Sequence, residues 1–177
     1  MNPPEHSDPE QEEAPAFRIL RAAGIPARRL EYRYHPAGGI RDAAGQLDLP
    51  ARTIIKTLVF TPGSVAPEDS EPGTPVIALM HGDSKVALRK LERLAGIRHL
   101  RPCSPQEAEA MTGYKTGGIS PFGLPGHCLI CIQESLRKLE AIAFNAGARG
   151  VVAVTAPDAL NLLAGRWGDC AGRPLMI

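Results

Sequence analysis

The run Ile54-Ile55-Lys56-Thr57-Leu58-Val59-Phe60 constrains the fold more than any other part of this chain. Apart from one lysine it is apolar or β-branched, which predicts a central strand. A second such run, Pro75–Met80, follows a Pro-, Gly- and acid-rich segment over 61–74 that reads as a long surface loop. Further strands are predicted where Leu30, Tyr32 and Tyr34 alternate with charged residues, and at Ile97–Arg101, Cys128–Ile132, Ala141–Asn145 and Gly150–Val154.

Short helical segments lie between them. Pro15–Ala23 has Pro at its start and Gly24 after its end. A short helix over Ile40–Ala44 is closed by Gly45, and Ser84–Ala95 has helical apolar spacing and ends at Gly96. Ser104-Pro105-Gln106-Glu107 is a capping box opening a helix that stops at Gly113. Helices near Ser135–Leu139 and from Thr155 to Ala164 complete the set. Strands and helices mix without a strict βαβ repeat, so the predicted class is α+β, with a mixed, largely antiparallel sheet flanked by short helices. Residues 1–14 carry five acids and no base, and read as a disordered tail; 15–165 form the domain and 166–177 a loose C-terminal tail.

Setting that acidic tail aside leaves 20 basic against 14 acidic side chains, a formal charge of +6. Such a body is compatible with a phosphate-rich partner, although scattered surface arginines give the same count. No apolar run reaches membrane-spanning length and no signal peptide is evident, so the expected location is the cytoplasm. Cys128 and Cys131 form a CxxC inside a predicted strand, where residues three apart face opposite sides and chelate poorly. No metal site and no cofactor is expected.

Two features could carry chemistry. Lys56 either snorkels from the polar face of its strand or points into a cleft, where its ammonium suits a phosphate or a developing oxyanion. Gly117-Gly118-Ile119-Ser120-Pro121-Phe122-Gly123 is either a structural turn or a nest of uncovered backbone N–H groups. Ser120 precedes Pro and lacks a nucleophile elbow. Asn145 either lines the same cleft or caps a turn.

Ile55-Lys56-Thr57-Leu58-Val59, Thr112-Gly113-Tyr114, the Gly117–Gly123 run and Phe144-Asn145-Ala146-Gly147-Ala148-Arg149-Gly150, in that order, resemble the YbaK family of prolyl-tRNA-synthetase-associated editing domains. The likeness covers residues 15–165 and implies a barrel-like sheet. It also implies an aminoacyl-tRNA deacylase that removes cysteine or alanine from mischarged tRNA, tRNA(Pro) foremost, with prolyl-tRNA synthetase as a possible associate and a monomeric state. By the same resemblance Lys56 is the required lysine, and Gly117 and Gly118 hold the ester carbonyl. Tyr32, Ile119, Ser120, Gln133, Asn145 and Gly147 would contact substrate. Gln133 stands where the family usually has Asp, and Ala146 and Ala148 replace a Gly and a basic residue. Two other readings stand beside the enzyme: a non-catalytic tRNA- or synthetase-binding module, and a small-molecule hydrolase or lyase using the same pocket.

Overall fold

The computed structural model describes residues 13–63 and 73–172. Most of the expected 1–14 tail, most of the 61–74 loop and the end of the C-terminal tail lie outside those residues. Two sheets carry the domain. One has five strands in the order β4-β2-β3-β5-β8: β2 is Ile55–Pro62, β3 Val76–His81, β4 Leu100–Pro102, β5 Leu129–Gln133 and β8 Arg166–Gly168. β4, β2 and β3 pair antiparallel, whereas β3, β5 and β8 pair parallel. The other sheet has the order β1-β7-β6, all antiparallel, from Arg28–Glu31, Val151–Thr155 and Ile142–Asn145. The mixed α+β class is as expected. The barrel-like expectation gives way to two sheets that are not closed on each other; Ile54, just before β2, forms an isolated bridge to Ala143 of β6.

Burial explains the order. Every residue of β3 is buried, and its two faces feed two cores by the period-2 alternation of a strand. Ile77 and Leu79 pack with Ile55, Val59, Ile132, Phe122 and Phe144 between the sheets. Val76, Ala78 and Met80 pack with Phe60, Cys131 and Cys170 under the helix α3, Leu88–Ala95, whose Leu91 and Ala95 are buried one turn apart.

Several boundaries differ from expectation for local reasons. β1 ends at Glu31 because the side-chain amide of Gln46 takes over the backbone of Arg33, accepting from its N–H at 2.9 Å and donating to its carbonyl at 3.0 Å. The second helix, α2, runs through Gly45 from Gly39 to Leu47. An interior glycine costs about 1 kcal/mol, and the packing of Ile40, Ala44 and Leu47 against Ile54 offsets it. Ser84–Ala87 is not helical. Ala87 N–H donates to Cys170 O at 2.9 Å and Val86 bridges Ala171, so this stretch pairs with the C-terminal segment. The segment expected to be loose from Arg166 therefore supplies β8 and this bridge. The helices expected near Ser135 and after Thr155 are 3₁₀ turns, Glu134–Lys138 and Pro157–Leu162. Thr155 donates its hydroxyl to Pro26 O at 2.8 Å and does not cap the second of them.

The helix α1, Pro15–Ala22, and α4, Pro105–Thr112, begin where expected. The Ser104–Glu107 capping box is formed in both directions. Ala14, assigned by sequence to the tail, is buried. Among the described residues no helix is long and apolar enough to cross a membrane.

Candidate active site

A cavity of about 290 Å³ opens between the start of β2, the α2 region and the glycine loop. Its position follows from strand pairing. β4 covers only Phe60–Pro62 of β2, and the last bond along that edge is Cys103 N–H to Val59 O at 2.9 Å. Backbone groups alternate direction along a strand. Thr57, two residues before Val59, therefore turns its N–H and carbonyl towards the uncovered edge, where the cavity lies. The Thr57 hydroxyl oxygen is buried and has no hydrogen-bond partner among the described residues.

Lys56 lines this cavity and is half-buried. Its ammonium donates to the carbonyl of Ser84. Burial lowers its pKa below the usual lysine value; the Asp83 carboxylate opposes this and the Lys85 charge adds to it. The Ser84 carbonyl is held by a turn in which Ser84 N–H donates to His81 O at 3.1 Å. His81 is itself fixed, with Nδ1 2.8 Å from Arg52 O and Nε2 2.8 Å from Ser135 Oγ. A carbonyl only accepts, so Nδ1 carries the proton and Nε2 accepts from the Ser135 hydroxyl. Gly82, between them, lies so close to Ala51 that a β-carbon there would stand 2.3 Å from Ala51 O.

Gly117 also lines this cavity, with φ of +89°. Gly118 is different. Its N–H already donates to Lys115 O at 2.9 Å, and a β-carbon on it would stand 2.9 Å from the backbone nitrogen of Arg149. It is buried against the neighbouring loop and is not among the residues lining the cavity, and its N–H, expected as an oxyanion donor, is already engaged. Ile119 forms apolar wall, and Tyr32 and Asn145 also line the cavity. Burial, with Tyr34 and Asp42 nearby, raises the Tyr32 pKa.

Three expected contacts lie elsewhere. Ser120 is fully buried and its Oγ accepts from Phe122 N–H at 3.2 Å, a turn-holding role. Gln133 accepts from His81 N–H at 3.1 Å through its side-chain oxygen, at the end of β5. Gly147, with φ of +109°, packs against Pro15 and Tyr114.

Other lining residues went unselected in the sequence. Tyr34 does so with its ring against Gly117; its two-residue spacing from Tyr32 was the available signal. His35 and Asp42 form a pair at 2.8 Å on the rim. The hydrogen bond from His35, then that from Gln46, lowers the Asp42 pKa against a small burial effect. Nothing in the local sequence marks that pair, which depends on the chain turning into α2.

The family described as the aminoacyl-tRNA editing domain matches residues 35–162. EbsC of Enterococcus faecalis, a candidate Cys-tRNA(Pro)/Cys-tRNA(Cys) deacylase, is 27% identical over 161 residues, covering 90% of this chain and 93% of that protein. The proline–tRNA ligase of Streptococcus thermophilus is 33% identical over 104 residues, 59% of this chain but only 15% of the ligase. That of Nitratidesulfovibrio vulgaris is 34% identical over 87 residues, 49% of this chain and 14% of the ligase. Two crystal structures share the fold. A hypothetical protein has a TM-score of 0.75 at 20% identity, covering 88% of this chain and 98% of that one. A candidate trans-editing enzyme for prolyl-tRNA synthetase has a TM-score of 0.69 at 22% identity, covering 89% and 93%.

Proposed function

This chain belongs to the aminoacyl-tRNA editing domain family, and from that membership we propose that it is a trans-acting deacylase that removes cysteine or alanine from mischarged tRNA, tRNA(Pro) foremost. The observation that carries this reading is the shared cavity: Lys56 and Gly117, 61 positions apart in the chain, line the same space.

The chemistry asks little of the protein. An aminoacyl ester on a ribose hydroxyl is already activated, so placement and charge stabilisation suffice. The half-buried Lys56 ammonium stabilises negative charge developing on the ester carbonyl, and the Gly117 N–H is assigned as a second donor to the same oxygen. Tyr32, Ile119 and Asn145 shape the pocket around the amino acid. The attacking group is water, or in a cysteinyl ester the substrate's own thiol. In the second case the C–S bond forms, the ester C–O bond breaks, and the thiol proton ends on the ribose oxygen, releasing a thiolactone and intact tRNA. Similarity along nearly the whole of EbsC, a candidate Cys-tRNA(Pro)/Cys-tRNA(Cys) deacylase, supports the deacylase reading.

The test is a deacylation panel of alanyl-, cysteinyl-, seryl- and prolyl-tRNA(Pro). Cysteinyl-tRNA is expected to be cleared fastest, alanyl-tRNA more slowly, and prolyl-tRNA to be spared. A chain that binds these tRNAs but clears none of them is a binding module, and the deacylase reading is then wrong.

A further inference from the structure

We propose that Arg149 is a preformed phosphate-binding residue for the nucleotide whose ester enters the cavity. This rests on the nucleic-acid substrate proposed above and assigns a different part of it. Arg149 is exposed, yet its guanidinium is held from two sides. Nε donates to Thr116 O at 2.8 Å, and the guanidinium carbon lies 4.9 Å from the centroid of the Tyr34 ring. Thr116 and Tyr34 both line the cavity, so the group sits at its rim.

The backbone beneath it is equally fixed. Val151 N–H donates to Ala148 O at 3.2 Å, Ala146 N–H to Val151 O at 2.9 Å, and Tyr32 N–H to Gly150 O at 3.0 Å. Gly150 has φ of +77°, and a β-carbon there would stand 2.6 Å from Tyr32 O.

Arg166 too is held by backbone carbonyls, those of Leu94 and Ala95, but neither it nor they line the cavity. Arg21, Arg29, Arg101 and Arg137 each meet a glutamate. Among the described residues Arg149 meets no carboxylate, and only its Nε has a hydrogen-bond acceptor. A backbone carbonyl and a ring orient it without neutralising it, which leaves the two outer nitrogens and their fork of N–H donors for an anion. Such a fork matches two oxygens of a phosphate, and holding it in advance reduces the entropy lost on binding. Lys56 lines the cavity and is assigned above to the ester, whereas Arg149 stands at the rim. The two cations thus divide the substrate: Lys56 serves the ester, and Arg149 the phosphate on the 5′ side of the terminal nucleoside.

The test compares binding of 5′-AMP and adenosine to the full chain and to the Arg149→Gln and Arg149→Lys variants. The wild type is expected to prefer 5′-AMP by about tenfold, as for one charge-assisted pair. Arg149→Gln should abolish that preference and leave adenosine binding unchanged, while Arg149→Lys keeps only part of it. In deacylation, Arg149→Gln should act mainly on KM. Equal binding of the two ligands by the wild type, no measurable binding of 5′-AMP at millimolar concentration, or a preference that survives Arg149→Gln overturns the assignment. Failure of the wild type to clear any tRNA sinks the deacylase reading instead; the nucleotide comparison needs no turnover and still decides the phosphate site.

Discussion

The ring of Tyr34 occupies the place where a side chain on Gly117 would begin: its Cε2 lies 2.4 Å, and its hydroxyl oxygen 2.6 Å, from an ideal β-carbon on that glycine. The glycine is therefore required twice, by its φ of +89° and by the ring. Gly117→Ala is expected to destabilise the fold by about 1–3 kcal/mol and to reduce deacylation more than tenfold by displacing Tyr34. Pairing it with Tyr34→Ala removes the clash but not the backbone strain. The double variant should be more stable than the sum of the single changes predicts, in a denaturant-unfolding cycle. Simple additivity would show that the ring and the glycine do not meet.

Thr57 carries a buried hydroxyl oxygen on the cavity wall with no partner among the described residues, and a substrate in the cavity would supply one. Thr57→Val keeps the β-branched shape and removes the orphan oxygen. It is expected to raise stability by about 1 kcal/mol, which for a domain of this size is a melting-temperature rise of about 2–4 °C. The same change should lower kcat/KM by about tenfold if the hydroxyl contacts the aminoacyl group. A variant that is stabilised and fully active would remove Thr57 from the substrate's contacts.

How far the site was readable follows from what each residue depends on. Lys56 and Gly117 stand out because a cation in an apolar strand and a paired glycine are conspicuous by type, and the Ser104 capping box is complete within four residues. Ser120 and Gly147 lie in the glycine-containing motifs and Gln133 at the end of β5, but all three are claimed by neighbours outside the cavity: Phe122 N–H, the Pro15–Tyr114 packing and His81 N–H. Such choices are made by tertiary contacts. The same is true of β8, whose sequence Arg166-Trp167-Gly168 has little strand character. It is a strand because β5 offers an edge, and because Arg137 stacks on Trp167 with its guanidinium carbon 3.7 Å from a ring centroid. The two-sheet division was illegible for a related reason: strand order is decided by long-range pairing, and alternation reports only which residues share a face.

His81 gives the fold a pH dependence. Burial lowers its pKa below that of free imidazole, against the hydrogen bond to Arg52 O, which raises it. The folded state thus prefers neutral His81. The stability this confers is complete above the unfolded value of about 6.5 and is lost as pH falls from there towards the folded pKa. Denaturation midpoints should decline between pH 7 and pH 5, and His81→Asn should flatten that decline while lowering stability at pH 7. A wild-type stability that is level over this range would show that His81 does not titrate differently in the folded chain.

Lys56 sets the alkaline side of activity. Its pKa lies below the ordinary lysine value, chiefly through burial, so the charged form required at the ester is lost earlier than for an exposed lysine. Lys56→Ala is expected to reduce kcat by about two orders of magnitude or more, as for loss of an oxyanion donor, with the fold retained. Spontaneous ester hydrolysis rises with pH, so the informative quantity is the ratio of wild-type to Lys56→Ala rate. That ratio should be flat near neutrality and fall as pH rises, with a midpoint below the free lysine value of about 10.4. Lys56→Arg keeps its charge over the whole range, and its ratio to Lys56→Ala should stay level. If the wild-type ratio is also level to pH 10, the ammonium is not the charge that stabilises the reaction, and Lys56 is then a packing residue tied to Ser84.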